Sequence, residues 1–205
     1  MPDHYYTQTP TSAHKPGQGD FLWRGAKLVF ETDSGVFSRT EIDKGTEILL
    51  NALPEELTGS LLDMGCGYGV IGVTLGKRYP GLSVVMSDVN ERAVELSRRN
   101  AQRNGVPARV MQSDGYADVP FQRMDWIVQN PPIRAGKSVI YAMFAEGARR
   151  LEPSGELWLV IRKQQGAESA VRYLKTLFGR VEAVSKKGGF WVLRCTQPAE
   201  RPDEE

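Results

Sequence analysis

One segment of the chain is built to grip an amino group: Asn130-Pro131-Pro132-Ile133. Two prolines fix φ and lack N–H groups, so the loop is stiff and presents carbonyl oxygens beside the Asn130 amide. An amino group placed there would donate to the Asn130 side-chain oxygen and to the Pro131 carbonyl. Two such acceptors draw the nitrogen toward a tetrahedral shape and aim its lone pair at an incoming methyl carbon. Asn-Pro also ends strands as a plain turn. The weight of the loop therefore rests on what the neighbouring segments offer.

A second segment is Asp63-Met64-Gly65-Cys66-Gly67-Tyr68-Gly69. Glycines at 65, 67 and 69 permit a tight turn and let a ligand lie against bare backbone. The dinucleotide fingerprint requires glycine three residues after its second one, and Val70 stands there, which argues against NAD. Roughly 20 residues on, Ser87-Asp88-Val89 closes the next apolar run, at the distance expected of a ribose-binding carboxylate. The same carboxylate would also suit a helix N-terminus. Ser113-Asp114-Gly115 closes a third run, offering an acceptor to an adenine amino group or forming a simple turn. Ligands of open α/β sheets bind outside the carboxyl edge, so successive strand ends of this kind converge on one ligand.

Strands must hold these segments at one edge. Short apolar runs at 60–64, 83–87, 108–112, 124–129 and 156–161 alternate with helical patterns at 70–78, after an N-cap at Asn90, at 138–151 and at 167–178. Two late strands, 180–185 and 190–195, flank Lys186-Lys187-Gly188-Gly189 and form a hairpin. The expected fold is α/β: a mostly parallel seven-stranded sheet with an antiparallel strand near one edge and helices on both faces. Ahead of it, residues 1–20 read as loop or arm, a short N-terminal hairpin turns at Arg24-Gly25-Ala26-Lys27, Asp33-Ser34-Gly35 makes a second turn, and a helix spans 41–53, ended by Pro54. This divides the chain into 1–55 (arm, hairpin and helix packing on the core), 56–197 (the α/β domain) and a polar, disordered tail, 198–205.

Composition excludes several classes. The 205 residues suit one α/β domain, and 40% hydrophobic with 25% charged residues is ordinary for a globular protein. A net charge of +1 gives no global pull on a polyanion, so a nucleic acid would meet local patches. No segment reaches the roughly 18 apolar residues needed to span a bilayer, and the start does not resemble a signal peptide, so a cytoplasmic protein without a membrane partner is expected. Cys66 and Cys195 lie far apart and read as small buried residues rather than a disulfide or zinc pair. His4 and His14 both sit in the N-terminal stretch, leaving the domain without a histidine triad, and no metal is expected. Arg134, Lys137, Arg162-Lys163 and Lys186-Lys187 follow strand ends or the proline loop and suit phosphates. Arg92, Arg99 and Arg103 recur on one helix face and read as solvated surface.

Taken together, these residues resemble the class I S-adenosylmethionine-dependent methyltransferases over most of the chain: Asp63 to Gly69 as the cofactor loop, Asp88 as the ribose carboxylate, and Asn130 to Ile133 as the NPP motif of amino-group methylases. More narrowly, His4-Tyr5-Tyr6, Ser34-Gly35-Val36-Phe37-Ser38, the glycine turn, Asn130 through Lys137 and Lys163-Gln164-Gln165-Gly166-Ala167 are similar to single-domain relatives of the RsmC group, which methylates guanine N2 in small-subunit ribosomal RNA.

That resemblance implies a Rossmann-like methyltransferase fold with S-adenosyl-L-methionine as cofactor. It assigns the cofactor to Phe37, Ser38, Asp63, Gly65, Cys66, Gly67, Gly69, Asp88, Val89, Asp114, Gly115 and Asn130, with Phe37 and Ser38 near its methionine end. Transfer falls to Asn130, Pro131, Pro132 and Ile133, and RNA contact to Arg134, Lys137 and Lys163. The implied partner is small-subunit ribosomal RNA or an assembling subunit, with the guanine unstacked to reach the loop. The larger RsmC enzymes carry a degenerate duplicate domain where this chain has an arm and hairpin, so RNA selection by that duplicate is not expected. Ile133 stands where DNA-adenine and glutamine methylases often place an aromatic ring. Activity on a DNA adenine or a protein glutamine amide, an NAD-linked oxidoreductase and a non-catalytic RNA-binding module are the alternatives. No feature of the sequence specifies an oligomeric state.

Overall fold

β-Branched and leucine-rich runs buried on both faces make the centre of a parallel sheet. A computed structural model of the chain describes residues 13–34, 36, 42–120 and 122–199. Along the chain run β1 (Gly17–Trp23), β2 (Ala26–Thr32), α1 (Lys44–Ala52), β3 (Gly59–Met64), α2 (Val70–Arg78), β4 (Leu82–Asp88), α3 (Glu91–Arg103), β5 (Ala108–Gln112), β6 (Met124–Gln129), α4 (Lys137–Arg149), β7 (Leu151–Arg162), α5 (Ala167–Leu174), β8 (Phe178–Lys187) and β9 (Phe190–Pro198). Seven of the described strands form one sheet in the order β5-β4-β3-β6-β7-β9-β8. β9 runs antiparallel to both its neighbours, as expected, and the other pairs are parallel. The direction of winding reverses beside β3, which pairs with β4 on one side and β6 on the other, so a crevice opens at its carboxyl end.

Alternation along β3 sends Leu61 to a core shared with α1, α2 and α3, and Leu62 to a core shared with α4 and α5. On the first side lie Leu49, Val73, Leu75 and Leu96; on the second, Phe144, Leu157, Leu159 and Leu174.

β1 and β2 form a separate hairpin, turning at Arg24 and Gly25 with positive φ of 44° and 81°, as a two-residue primed turn requires. Its outer edge is met by side chains rather than a strand. Asn100 of α3 accepts from Glu31 N at 2.7 Å and donates to Glu31 O at 2.9 Å; Asn104, one turn on, does the same for Val29 at 3.0 and 2.9 Å. Two amides spaced by one helical turn thus stand in for a neighbouring strand. Arg99 and Arg103 are exposed, as their reading as solvated surface has it, and pair with Glu31 from there, while half-buried Arg92 donates to Ser34 O at 2.7 Å. Arg24 fixes the other end of the hairpin, donating to Leu53 O and Pro54 O at 2.8 and 2.7 Å.

Other boundaries move for local reasons. β1 takes in Gly17–Asp20, read as arm, because each pairs with a residue of β2. α1 starts at Lys44 because Asp43 caps it, accepting from Thr46 N. β7 starts earlier because Leu151 pairs with Met124 before residues 152–155 bulge from the ladder. α5 stops at Leu174 because Phe178 is drawn into the sheet opposite Pro198, one residue past the expected end of the domain.

Candidate active site

The glycine turn is stitched to the neighbouring strand end. Gly65 N and Cys66 N both donate to Ser87 O, at 2.8 and 3.0 Å, and Gly67 N donates to Asp88 Oδ2 at 2.8 Å. Asp88 Oδ1 accepts from Asn90 N at 2.9 Å, so this carboxylate braces the turn while facing the crevice. Gly65 and Gly67 have φ of 72° and 57°, and a Cβ on either would meet nothing within 4 Å. The space it would enter is the crevice itself. Gly69 differs: it precedes α2 and packs against Ser97 and Val73, away from the crevice.

Behind the turn, Asp63 is fully buried. Its Oδ2 accepts from Gly72 N at 2.8 Å, while Oδ1 has no partner among the described residues. Burial pushes its carboxyl up to about 7, against the pull of the Gly72 N–H and helped by the Asp88 charge. Burial likewise raises Asp88. The Cys66 thiol is pushed well up by burial and then by both carboxylates, which keeps it an inert thiol.

A cavity of about 1400 Å³ opens where β3, β4, β5 and β6 end. Gly65, Cys66 and Gly67 line it with Asp88 and Val89, then Asp114 and Gly115, then Asn130 through Arg134. All four strand-end segments therefore share one space. Lys137 and Lys163 do not line it; they flank a shallower depression with Gln164 and Arg172. Phe37 and Ser38 lie outside the described residues.

At the end of β6 the Asn130 amide is held from a distant helix. Its Nδ2 donates to Thr46 Oγ1 at 2.9 Å and to Asp43 Oδ2 at 3.1 Å. Both amide hydrogens are thereby used, and Oδ1 is left without a partner among the described residues. No described residue donates to the Pro131 carbonyl, whereas the Pro132 carbonyl accepts from Ala135 N at 2.8 Å. Asn130 and Pro131 both line the cavity, and each keeps an oxygen with no hydrogen-bond partner among the described residues. Gln129, fully buried just before, donates to the Tyr116 hydroxyl at 3.1 Å and ties this loop to the β5 side.

Asp43, Thr46, Phe190 and Arg162 also line the cavity. A helix that starts at 41, as the sequence pattern suggests, does not single out Asp43 and Thr46. The spacing Asp43-Lys44-Gly45-Thr46, an N-cap followed by the residue whose N–H it takes, is the signal that marks them. Phe190 carries Arg162 over its ring at 4.6 Å.

This sheet order, with a glycine turn and an acidic strand end at the crevice, defines the class I Rossmann-like methyltransferase fold. The chain belongs to the methyltransferase small domain family, whose model matches residues 27–194. It is 44% identical over 198 residues to the uncharacterized protein YbxB of Bacillus subtilis (strain 168), covering 95% of this chain and 98% of that one. It is also 42% identical over 170 residues to ribosomal RNA small subunit methyltransferase C of Hahella chejuensis, covering 77% of this chain and 49% of the relative. Among solved structures, the T. thermophilus 16S rRNA N2 G1207 methyltransferase (RsmC) in complex with AdoMet and guanosine matches with a TM-score of 0.80 at 27% identity, over 92% of this chain and 52% of that one. The chain spans about half the length of the methyltransferase C relatives it matches.

Proposed function

We propose that this chain is an S-adenosylmethionine-dependent N-methyltransferase that acts on the exocyclic N2 amine of a guanine in ribosomal RNA. One observation carries the reading: Thr46 and Asp43 take both hydrogens of the Asn130 amide, so its oxygen and the Pro131 carbonyl, neither partnered among the described residues, are the acceptors an NH₂ group would meet. The residues also fit the cofactor. Gly65 and Gly67 leave room for a ligand against backbone, Asp88 at the cavity wall would hold the ribose, and behind the turn lies the Asp63 oxygen that has no partner among the described residues, whose ionised form a cationic ligand would favour.

S-Adenosylmethionine supplies a methyl group already activated by sulfonium, so the N–C bond forms as the S–C bond breaks and a neutral thioether leaves. Asn130 Oδ1 and the Pro131 carbonyl orient the amine so that its lone pair lies in line with that methyl carbon. The methylated nitrogen is transiently cationic and loses a proton to water, so no strong base is required. Pro131 and Pro132 keep the two oxygens from drifting, and Ile133 offers a face for the base to pack on.

RNA is favoured as substrate by the names of the methyltransferase C relatives and by Arg134 and Arg162 at the cavity, with Lys137, Lys163 and Arg172 around the neighbouring depression. The same reading makes residues 56–197 the methyltransferase domain and 1–55 the arm, hairpin and helix packed on it, with Asp43 and Thr46 reaching the cavity. It implies work on small-subunit ribosomal RNA or an assembling subunit, in the cytoplasm.

Labelled cofactor offered with deproteinised ribosomal RNA, ribosomal particles, DNA and protein tests the substrate class. Mass-spectrometric mapping of N2-methylguanine in cells with and without the protein locates the base. Transfer to DNA or protein and not to RNA defeats the reading. Asn130→Ala is expected to keep cofactor affinity and lose transfer; equal turnover removes the role assigned to Asn130.

A further inference from the structure

We propose that Asp43 determines specificity for guanine, its Oδ1 accepting the N1–H of the target base while Asn130 and Pro131 hold the N2 amine; this rests on the guanine-N2 reading above. Two acceptors alone grip any exocyclic amine. They do not separate guanine from adenine or cytosine, each of which carries an NH₂ group beside a ring nitrogen. The difference lies on that ring nitrogen. In guanine, N1 carries a hydrogen, whereas adenine N1 and cytosine N3 present a lone pair. An acceptor fixed one atom-pair along from the amine site pairs with guanine and repels the other two, and a base that leaves buried polar groups unpaired is strongly rejected.

Asp43 meets this requirement. Its Oδ2 is anchored twice, by Thr46 N at 3.0 Å and by the Asn130 amide at 3.1 Å. The bond to Asn130 holds the carboxylate directly beside the group that takes the amine, as N1 and N2 of guanine lie either side of a single carbon. Oδ1 has no hydrogen bond to any described residue, and no described lysine or arginine forms an ion pair with Asp43. The residue lines the cavity. Gly45 makes room for this placement: a Cβ there would lie 2.8 Å from both Asp43 Oδ2 and Phe190 Cε1.

The test uses an RNA oligonucleotide spanning the guanine mapped in cells, made with guanine or with 2-aminopurine at that position. 2-Aminopurine keeps the N2 amine but presents an N1 lone pair. Wild type is expected to favour guanine by about tenfold or more in kcat/KM. Asp43→Asn can turn its NH₂ toward N1, so the preference falls at least about tenfold and 2-aminopurine becomes the relatively better substrate. A purely structural role slows both substrates alike, so an unchanged ratio overturns the proposal. Thr46→Val, which loosens the Asn130 amide, is expected to slow both and leave the ratio alone. For a variant too slow to assay, competition binding of the two RNAs gives the same ratio. If Asp43→Asn fails to bind cofactor, the wild type decides, since equal use of the two RNAs overturns the proposal. A wild type that methylates neither RNA refutes the guanine-N2 reading itself.

Discussion

The side-chain amide of Asn130 donates to the Thr46 hydroxyl at 2.9 Å, a bond between residues 84 positions apart. Together with the Asp43 carboxylate, which can only accept, it takes both amide hydrogens and leaves the amide oxygen to another partner. Thr46→Val keeps the shape and removes one of the two acceptors, at a cost of about 1 kcal/mol, and loosens the amide, which Asp43 then holds alone. We expect kcat to fall about tenfold with cofactor affinity unchanged, and Thr46→Ser to restore it. Single-turnover rates with calorimetric cofactor binding check this; a parallel fall in both would mean that Thr46 serves folding alone.

Gly45→Ala separates geometry from stability. Alanine favours a helix by about 1 kcal/mol over glycine, yet its Cβ would sit 2.8 Å from Asp43 Oδ2 and from the Phe190 ring. The carboxylate has to shift. Turnover is expected to drop about tenfold or more, while Tm stays within a few degrees of wild type. Wild-type turnover in Gly45→Ala would show that the carboxylate position does not matter.

Asp63 makes cofactor binding depend on pH. Its carboxyl stands at about 7 against an ordinary value of 3.8. The folded chain therefore holds this proton more tightly than the unfolded one, and stability falls as pH rises from about 4 to about 7. The full loss above 7 is on the order of 4 kcal/mol. Asp88, also raised by burial, acts in the same direction. A cationic cofactor favours the ionised forms, so its affinity is expected to climb toward pH 7, with proton release at pH 6. Calorimetry in buffers of different ionisation heat measures that release. Asp63→Asn should remove most of it and raise the apo Tm at pH 8; an undiminished proton release would contradict this assignment.

Local pattern carried the strand ends, and with them most of the cavity wall. The glycines at 65 and 67, Asp88, Asp114 and the Asn130-Pro131-Pro132 loop each sit where a short apolar run stops, and a parallel sheet aligns such stops at one edge. What was illegible arises from packing between distant segments. Asp43 and Thr46 reach Asn130 only because α1 lies over β7 and β9, which no spacing within either segment encodes. The pairing of exposed Arg99 and Arg103 with Glu31 is likewise hidden, because Glu31 belongs to a hairpin whose docking place the helix periodicity does not reveal. Lys137 and Lys163 follow the expected loops in sequence, yet they face the neighbouring depression.

Asn100 links that hairpin to the glycine turn, which gives a prediction about both. Fully buried, it accepts from Glu31 N at 2.7 Å and donates to Glu31 O at 2.9 Å and to Tyr68 O at 2.8 Å. Asn100→Ala leaves one N–H and two carbonyls without these partners. Allowing for partial relaxation, the cost is about 3 kcal/mol, or a Tm lower by roughly 6–12 °C. Because Tyr68 lies within the turn, cofactor affinity should weaken as well. Asn100→Asp tests whether the donors matter most. It keeps an acceptor for Glu31 N but sets a carboxylate oxygen against two carbonyls. It should therefore be at least as damaging as alanine at pH 8 and less so at pH 5, where the protonated acid donates one bond. Thermal melts of the three proteins at both pH values decide it: an aspartate variant as stable as wild type at pH 8 would mean that the Glu31 N–H bond alone holds the hairpin.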